Sequence, residues 1–133
     1  MIRMRKSVLF YFVIVSLIGC NNSDNVVDLG DGYFYRNEGG MIKDILSEIS
    51  ENGEIPSTVL DYSYDNNFII AKQKPKIPQD PLYSKKINYK LGLNREYYWV
   101  IQKKQSIVIG PLSFDEYRDI FRLKKIPKKL YLN

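Results

Sequence analysis

The sequence predicts an α+β fold: a β-rich antiparallel sheet built from hairpins, completed by a C-terminal amphipathic helix. Three observations predict it. Ile, Val, Tyr and Phe are plentiful while alanine occurs once, at Ala71, a balance that favours pleated, half-buried strands over helices. Two stretches, 57–74 and 96–110, place runs of β-forming residues on either side of a turn cluster. A third opens with Ser113 and Glu116 at capping-box spacing and continues as an apolar stripe.

Taken in order, Val26 to Tyr35 (VVDLGDGYFY) predicts a turn at Gly30–Gly32 and a strand through Tyr33–Arg36. Met41 to Ile49 (MIKDILSEI) fits two periods. Apolar residues at 41, 42, 45, 46 and 49 trace a helical stripe, and Ile45, Ser47 and Ile49 also allow a strand; period alone leans to helix. Thr58 to Tyr64 and Phe68 to Lys74 are the arms of the first hairpin, joined at Asp65-Asn66-Asn67, residues that tolerate a left-handed backbone.

Pro75, Pro78 and Pro81 lie at three-residue spacing within 75–92. Proline has no amide to give a ladder, so this segment reads as an exposed loop with polyproline character near 74–81. In the second hairpin Tyr97, Trp99 and Ile101 share one face, and Tyr98 and Val100 the other. Both faces are apolar, which predicts a central strand covered on both sides. Its turn falls near Lys103–Gln105. In the helix that Ser113 caps, Phe114, Tyr117, Ile120 and Phe121 form the stripe. Pro127 follows its end, and Lys128 to Leu132 is expected as an edge strand.

A segment of another kind precedes the domain. Arg3, Arg5 and Lys6 stand before an uncharged apolar run, Val8 to Ile18, that lacks Pro and Gly. A cationic start, a short apolar run and a small residue at a cut make an export signal. The run is too short for a bilayer core, which takes about 20 residues as a helix. Residues 1–19 are therefore expected to be a signal peptide, 20–27 a polar tether, and 28–133 one globular domain.

The four residues Leu17-Ile18-Gly19-Cys20 resemble a bacterial lipobox. That resemblance implies a diacylglycerol on the Cys20 sulfur, cleavage before Cys20 and acylation of the new amine. One chain anchors a protein only marginally, whereas two or three anchor it stably, each buried methylene contributing about 0.8 kcal/mol. The bilayer is then a partner through Cys20, the only cysteine of the chain. Asn21 is not the Asp that, by resemblance to Gram-negative lipoproteins, retains a protein at the inner membrane. The expected location is the cell envelope, at the outer membrane, with its periplasmic and surface faces both open.

Composition removes several chemistries. Histidine is absent, so there is no His-based triad, ligand or proton shuttle. With Cys20 acylated, thiol chemistry goes as well. No cofactor is implied. The whole-chain charge of +5 includes the three cations of the signal. Within the rest, residues 20–70 carry two basic and ten acidic side chains, and 71–133 carry fifteen basic and five acidic. The halves are expected to attract each other in the fold or to form faces of opposite potential. A nucleic-acid partner is not expected for an exported, lipid-anchored chain; contact of the Lys-rich half with anionic headgroups is possible chemistry.

Few motifs suggest a site. Asp61, Ser63, Asp65 and Asn67 mimic the start of a calcium loop, but Asn66 stands where Gly is needed and Lys72 where a bidentate Glu is needed. Tyr97-Tyr98-Trp99 reads as core packing ahead of a ligand platform. Asp115, Glu116 and Asp119 read as first-turn acids that favour the helix dipole, and Lys124, Lys125, Lys128 and Lys129 as cations at its other end. No catalytic residue is assigned. A hydrolase would need two carboxylates facing each other in a cleft, with Asp61 and Glu96 as the pair to look for.

Four stretches, Leu29–Tyr35 (LGDGYFY), Asn52–Val59 (NGEIPSTV), Tyr64–Gln73 (YDNNFIIAKQ) and Ile109–Ser113 (IGPLS), resemble a family of small bacterial lipoproteins filed as a domain of unknown function. The resemblance implies export and brings no active site. The reading is a membrane-anchored, non-enzymatic envelope lipoprotein that binds a protein or a glycan. The alternatives are an immunity protein against an envelope toxin and, after it, a carboxylate-based hydrolase.

Overall fold

The computed structural model describes residues 25–49 and 53–133. The expected signal peptide, Cys20 and the first part of the expected tether lie outside the described residues. Eight strands form two antiparallel four-stranded sheets. The first holds β1 (Asn25–Gly30), β2 (Tyr33–Asn37), β3 (Lys43–Ser47) and β4 (Gly53–Ile55); the second holds β5 (Val59–Tyr64), β6 (Phe68–Gln73), β7 (Tyr97–Gln102) and β8 (Ile107–Leu112). Each sheet is ordered as its strands follow in the chain. Helix α1 (Phe114–Leu123) and a 3₁₀ turn, Lys128–Leu130, complete the chain. The β-rich α+β class is as expected, with the hairpins divided between two sheets.

Two apolar clusters make three layers. Leu29, Tyr33, Ile45 and Ile55 from the first sheet meet Val59, Ile69, Ala71, Trp99 and Ile101 from the second. Ile70, Tyr98 and Val100 turn the other way and meet Tyr117 and Phe121 of α1 with Ile126, Leu130 and Leu132. β7 is thus buried on both faces, as its two apolar stripes predict. Tyr97-Tyr98-Trp99 is core, with each of the three side chains at most 4% exposed. Tyr98 stacks on Tyr117 with ring centroids 4.2 Å apart, tying the helix to the sheet. Ser113 and Glu116 form the expected capping box, the hydroxyl accepting from the Glu116 amide and the carboxylate from the Ser113 amide.

Three segments differ from expectation. Residues 41–49 supply strand β3, where period alone leaned to helix. The turn through Gly39 and Gly40, both at positive φ, folds the chain back onto β2. Ile45 then enters the core, Asp44 meets Arg36, and Met41, Ile42 and Ile49 are left exposed. Pairing with β2 and β4 outweighs the local stripe. The expected edge strand at 128–132 is a 3₁₀ turn and tail. Pro127 opens it at φ −58, and side chains replace a ladder: Ser63 donates to the Leu130 carbonyl and the Leu132 amide donates to the Tyr117 hydroxyl. Finally, β1 begins at Asn25, inside the expected tether, because Val26 and Val27 pair with Arg36 and Tyr35.

The opposite-charge halves meet at one end of the sandwich. Asp31, in the turn after β1, pairs with Lys104 at 3.2 Å. Beside it the buried Lys103 ammonium donates to the Leu29 carbonyl. Burial lowers the Lys103 pKa, while Asp31 and Asp65 pull it upward.

Tyrosine burial sets the alkaline limit of the fold. Burial pushes the Tyr117 phenol up to about 12, against the downward pull of the bond from the Leu132 amide. Burial raises Tyr83 as well, with Asp44 and Asp80 adding to it. A phenol held neutral by the fold stabilises it fully below the ordinary value near 10, and that stability is lost as pH rises through the folded value. Urea midpoints measured from pH 9 to 12 are expected to fall steadily above about pH 10, in step with tyrosinate absorbance. A flat midpoint across that range would contradict the burial of these two rings.

Candidate binding clefts at the loop end

The strand register defines two ends. Gln73 pairs with Tyr97 and Phe68 with Gln102. The long connection after β6 therefore leaves one end, and the turn after β7 lies at the other. Asn25, paired with Asn37, and Met41, whose carbonyl accepts from the Thr58 hydroxyl at 2.8 Å, belong to the loop end.

The irregular connection between β6 and β7, residues 74–96, contains the proline-rich loop that the sequence predicts over 75–92, and three tyrosines fasten it. The Tyr83 hydroxyl donates to the Ile55 carbonyl at 3.0 Å and lies 3.4 Å from Asp44. The Tyr89 hydroxyl accepts from the Gln73 amide at 3.0 Å, and the Gln73 carbonyl accepts from the Trp99 indole at 2.7 Å. The Tyr97 hydroxyl accepts from the Leu91 amide and donates to the Gly92 carbonyl. Gln79 donates to the Tyr83 and Lys85 carbonyls. An irregular segment held by this many side-chain bonds is preformed, and preformed surfaces lose less entropy on binding.

The loop bounds two clefts. One, of about 570 Å³, lies between β4 and β8 and is lined by Glu54, Lys85, Lys86 and Lys90, with Trp99 and Gly110 at its wall. Lys90 pairs with Glu116 at 2.7 Å, holding the Glu116 carboxyl below its ordinary value with help from the Ser113 amide. Lys85 and Lys86 take part in no ion pair among the described residues.

Gly110 is required here by close approach. A Cβ at that position would sit 2.6 Å from the Trp99 ring, whose indole is locked by Gln73. Gly110→Ala is expected to destabilise the domain by about 1–3 kcal/mol, the usual cost of overpacking. Urea unfolding of the purified chain checks it, and an unchanged midpoint would mean that the wall yields without cost.

The second cleft, of about 420 Å³, is more apolar. Met41, Ile42, Pro56, Ile77 and Leu82 line it above a charged floor of Arg36 and Asp44. Arg36 grips Asp44 through two bonds, 3.1 and 2.8 Å, and reaches Glu38 at 3.5 Å. Burial pushes the Asp44 carboxyl up, against the downward pull of Arg36. The arrangement is a buried, paired carboxylate that fixes β2, β3 and the loop together.

The residues singled out in the sequence are scattered. Asp61, exposed at a bulge in β5, accepts from the Tyr62 amide. Glu96 lies 3.9 Å from Lys72. Neither lines these two clefts. Asp65 accepts from the Asn67 and Phe68 amides and closes its turn, and Ser63 holds the C-terminal tail. These contacts divide the calcium-loop mimic among separate tasks. The described residues hold no group of three acidic, His or Cys side chains arranged for a metal. On α1, Asp115 and Asp119 pair with Arg118 and Arg122, and Lys124, Lys125, Lys128 and Lys129 are exposed at its end.

Sequence reasoning missed the Arg36–Asp44–Tyr83 and Gln73–Tyr89–Trp99 groups. The available signal was aromatic: Tyr83 and Tyr89 stand in a loop otherwise rich in Pro, Lys and Asn, where a tyrosine is more readily explained as an anchor than as surface.

The fold and clefts define a small β-sandwich domain backed by a helix. The chain belongs to the family of proteins of unknown function DUF3997, whose model matches residues 31–133. No curated protein and no solved structure matches it.

Proposed function

We propose that the chain is a bacterial envelope lipoprotein, held in the bilayer by acyl chains on Cys20, whose domain is a non-catalytic module that binds an envelope protein or glycan. The observation that carries the reading is Leu17-Ile18-Gly19-Cys20 placed directly after the apolar run 8–18. The signal, residues 1–19, is removed and the chain resides at the outer membrane. The start of β1 at Asn25 supports this order, since an ordered domain follows Cys20 closely.

The partner is assigned to the Lys-lined cleft. Lys85 and Lys86, in no ion pair among the described residues, stand beside a fixed indole, a surface suited to a partner that presents negative groups near an apolar face. A photocrosslinking residue at Ser84, in cells producing the full chain, is expected to form discrete adducts that the Lys85→Glu/Lys86→Glu chain loses at equal abundance. Adducts that survive the charge reversal would remove the cleft from the reading. Protease added to intact cells then separates two partner pools. Digestion places the domain outside, and protection until the outer membrane is opened places it in the periplasm.

A further inference from the structure

We infer that the apolar rim of the second cleft, formed by Met41, Ile42, Ile77 and Leu82, is a membrane-contact surface that seats the domain on the lipid bilayer. The inference rests on the proposed acylation of Cys20.

The first argument is reach. Between Cys20 and Asn25 the chain makes five Cα-to-Cα steps, which span roughly 18 Å at most even when fully extended. A domain of about 100 residues has a radius of gyration near 13 Å, so it is wider than its tether is long. Whichever end carries Asn25 must therefore lie against the headgroups. That end is fixed by register: Asn25 pairs with Asn37, at the β2 end from which the turn to Met41 and Ile42 departs. Met41 is tied in turn to Thr58.

The second argument is chemistry. Met41, Ile42, Ile77 and Leu82 are each 47–52% exposed, yet line one groove, and Val26 at the tether adds 60% exposure. Scattered exposed apolar residues are ordinary, but a contiguous group marks a contact site. Lys76 stands within the group, with Lys43 at the same end of β3 and Lys74 directly after β6, bonded through its backbone to Thr58. Three acids line the cleft as well: Asp44 and Glu38 share Arg36, and Asp80 accepts from the Leu82 amide. A tethered domain sits at high effective concentration beside its own membrane, so shallow insertion of a few side chains suffices. The opposite end, with the Lys103–Ser106 turn, faces away.

The test uses the full acylated chain reconstituted in vesicles of phosphatidylethanolamine and phosphatidylglycerol, with Cys20 consumed by lipid. An environment-sensitive dye is placed at Met41→Cys, Ile77→Cys or Gln105→Cys. The expected result is a blue shift and quenching by a lipid-borne quencher at 41 and 77, several-fold above that at 105. Equal quenching at 105, or none at 41 and 77 in a chain whose mass shows the acyl groups, overturns the surface and leaves the anchor intact. A blue shift at 41 and 77 without lipid quenching identifies a protein occupant or a second copy, and overturns it too. A chain whose mass shows no acyl groups overturns both the surface and the proposed function.

Discussion

Cys20→Ala is expected to move the protein from the membrane fraction to the soluble fraction. The effect is close to complete because the domain has little else of comparable strength. Among the described residues no helix is long and apolar enough to cross a membrane, and a few half-exposed side chains give only shallow attachment. Two or three acyl chains contribute about 0.8 kcal/mol per buried methylene, far more than such contacts. Fractionation of cells producing each form at equal level checks the prediction, together with incorporation of a clickable palmitate analogue. The wild-type chain takes the label and the variant does not. An unlabelled wild-type chain, or a variant that stays with the membrane, would contradict it.

Arg36→Met is expected to cost the fold about 3–5 kcal/mol at neutral pH, the range for leaving a buried charge without its partner. Asp44 is 1% exposed, and the two bonds from Arg36 are its charged contacts at 2.8 and 3.1 Å. Tyr83, at 3.4 Å, cannot replace them. The sign with pH follows from burial, which already raises the Asp44 pKa and raises it further once Arg36 is gone. A carboxyl whose folded value lies above its unfolded one stabilises the fold below the unfolded value, and loses that stability as pH rises through the folded value. The deficit against wild type should therefore be small near pH 4 and full at pH 7. Urea unfolding at both values measures it, with Arg36→Met/Asp44→Leu as the companion chain. Recovery in the double variant is expected, since an apolar pair can replace a buried ion pair at little cost. A pH-independent deficit, or no recovery, would place the loss elsewhere than in the uncompensated carboxylate.

Much of the fold was legible because its signals are local. Asp-Gly at the first turn, Asp65-Asn66-Asn67 at the second and the Ser113/Glu116 box each act within a few residues. The two-faced apolar pattern of 97–101 foretold a strand with cover on both sides. Where the cause is distant, the sequence was silent or misleading. Strand β3 depends on Asp44 meeting Arg36 and on pairing with β4, so its local helical stripe did not decide its state. The C-terminal tail depends on Ser63 and Tyr117, which lie 67 and 15 residues from their partners. The clefts were the least legible feature. Their walls join residues 36–44, 54–58, 76–90 and 99–111, and no spacing in the chain brings those segments together.

The charge asymmetry was legible in kind and not in place. The acidic and basic halves touch through Asp31 and Lys104, while most other ion pairs stay within one half. Lys85 and Lys86 enter no ion pair among the described residues, and they are where the proposed partner is assigned.

The measurement that tests the central claim most directly is mass spectrometry of the N-terminal peptide from the chain purified out of membranes. The lipoprotein reading predicts a mature chain that begins at Cys20, with diacylglycerol on sulfur and an acyl group on the amine. A chain that keeps residues 1–19, or begins at Cys20 with a free thiol, would contradict it.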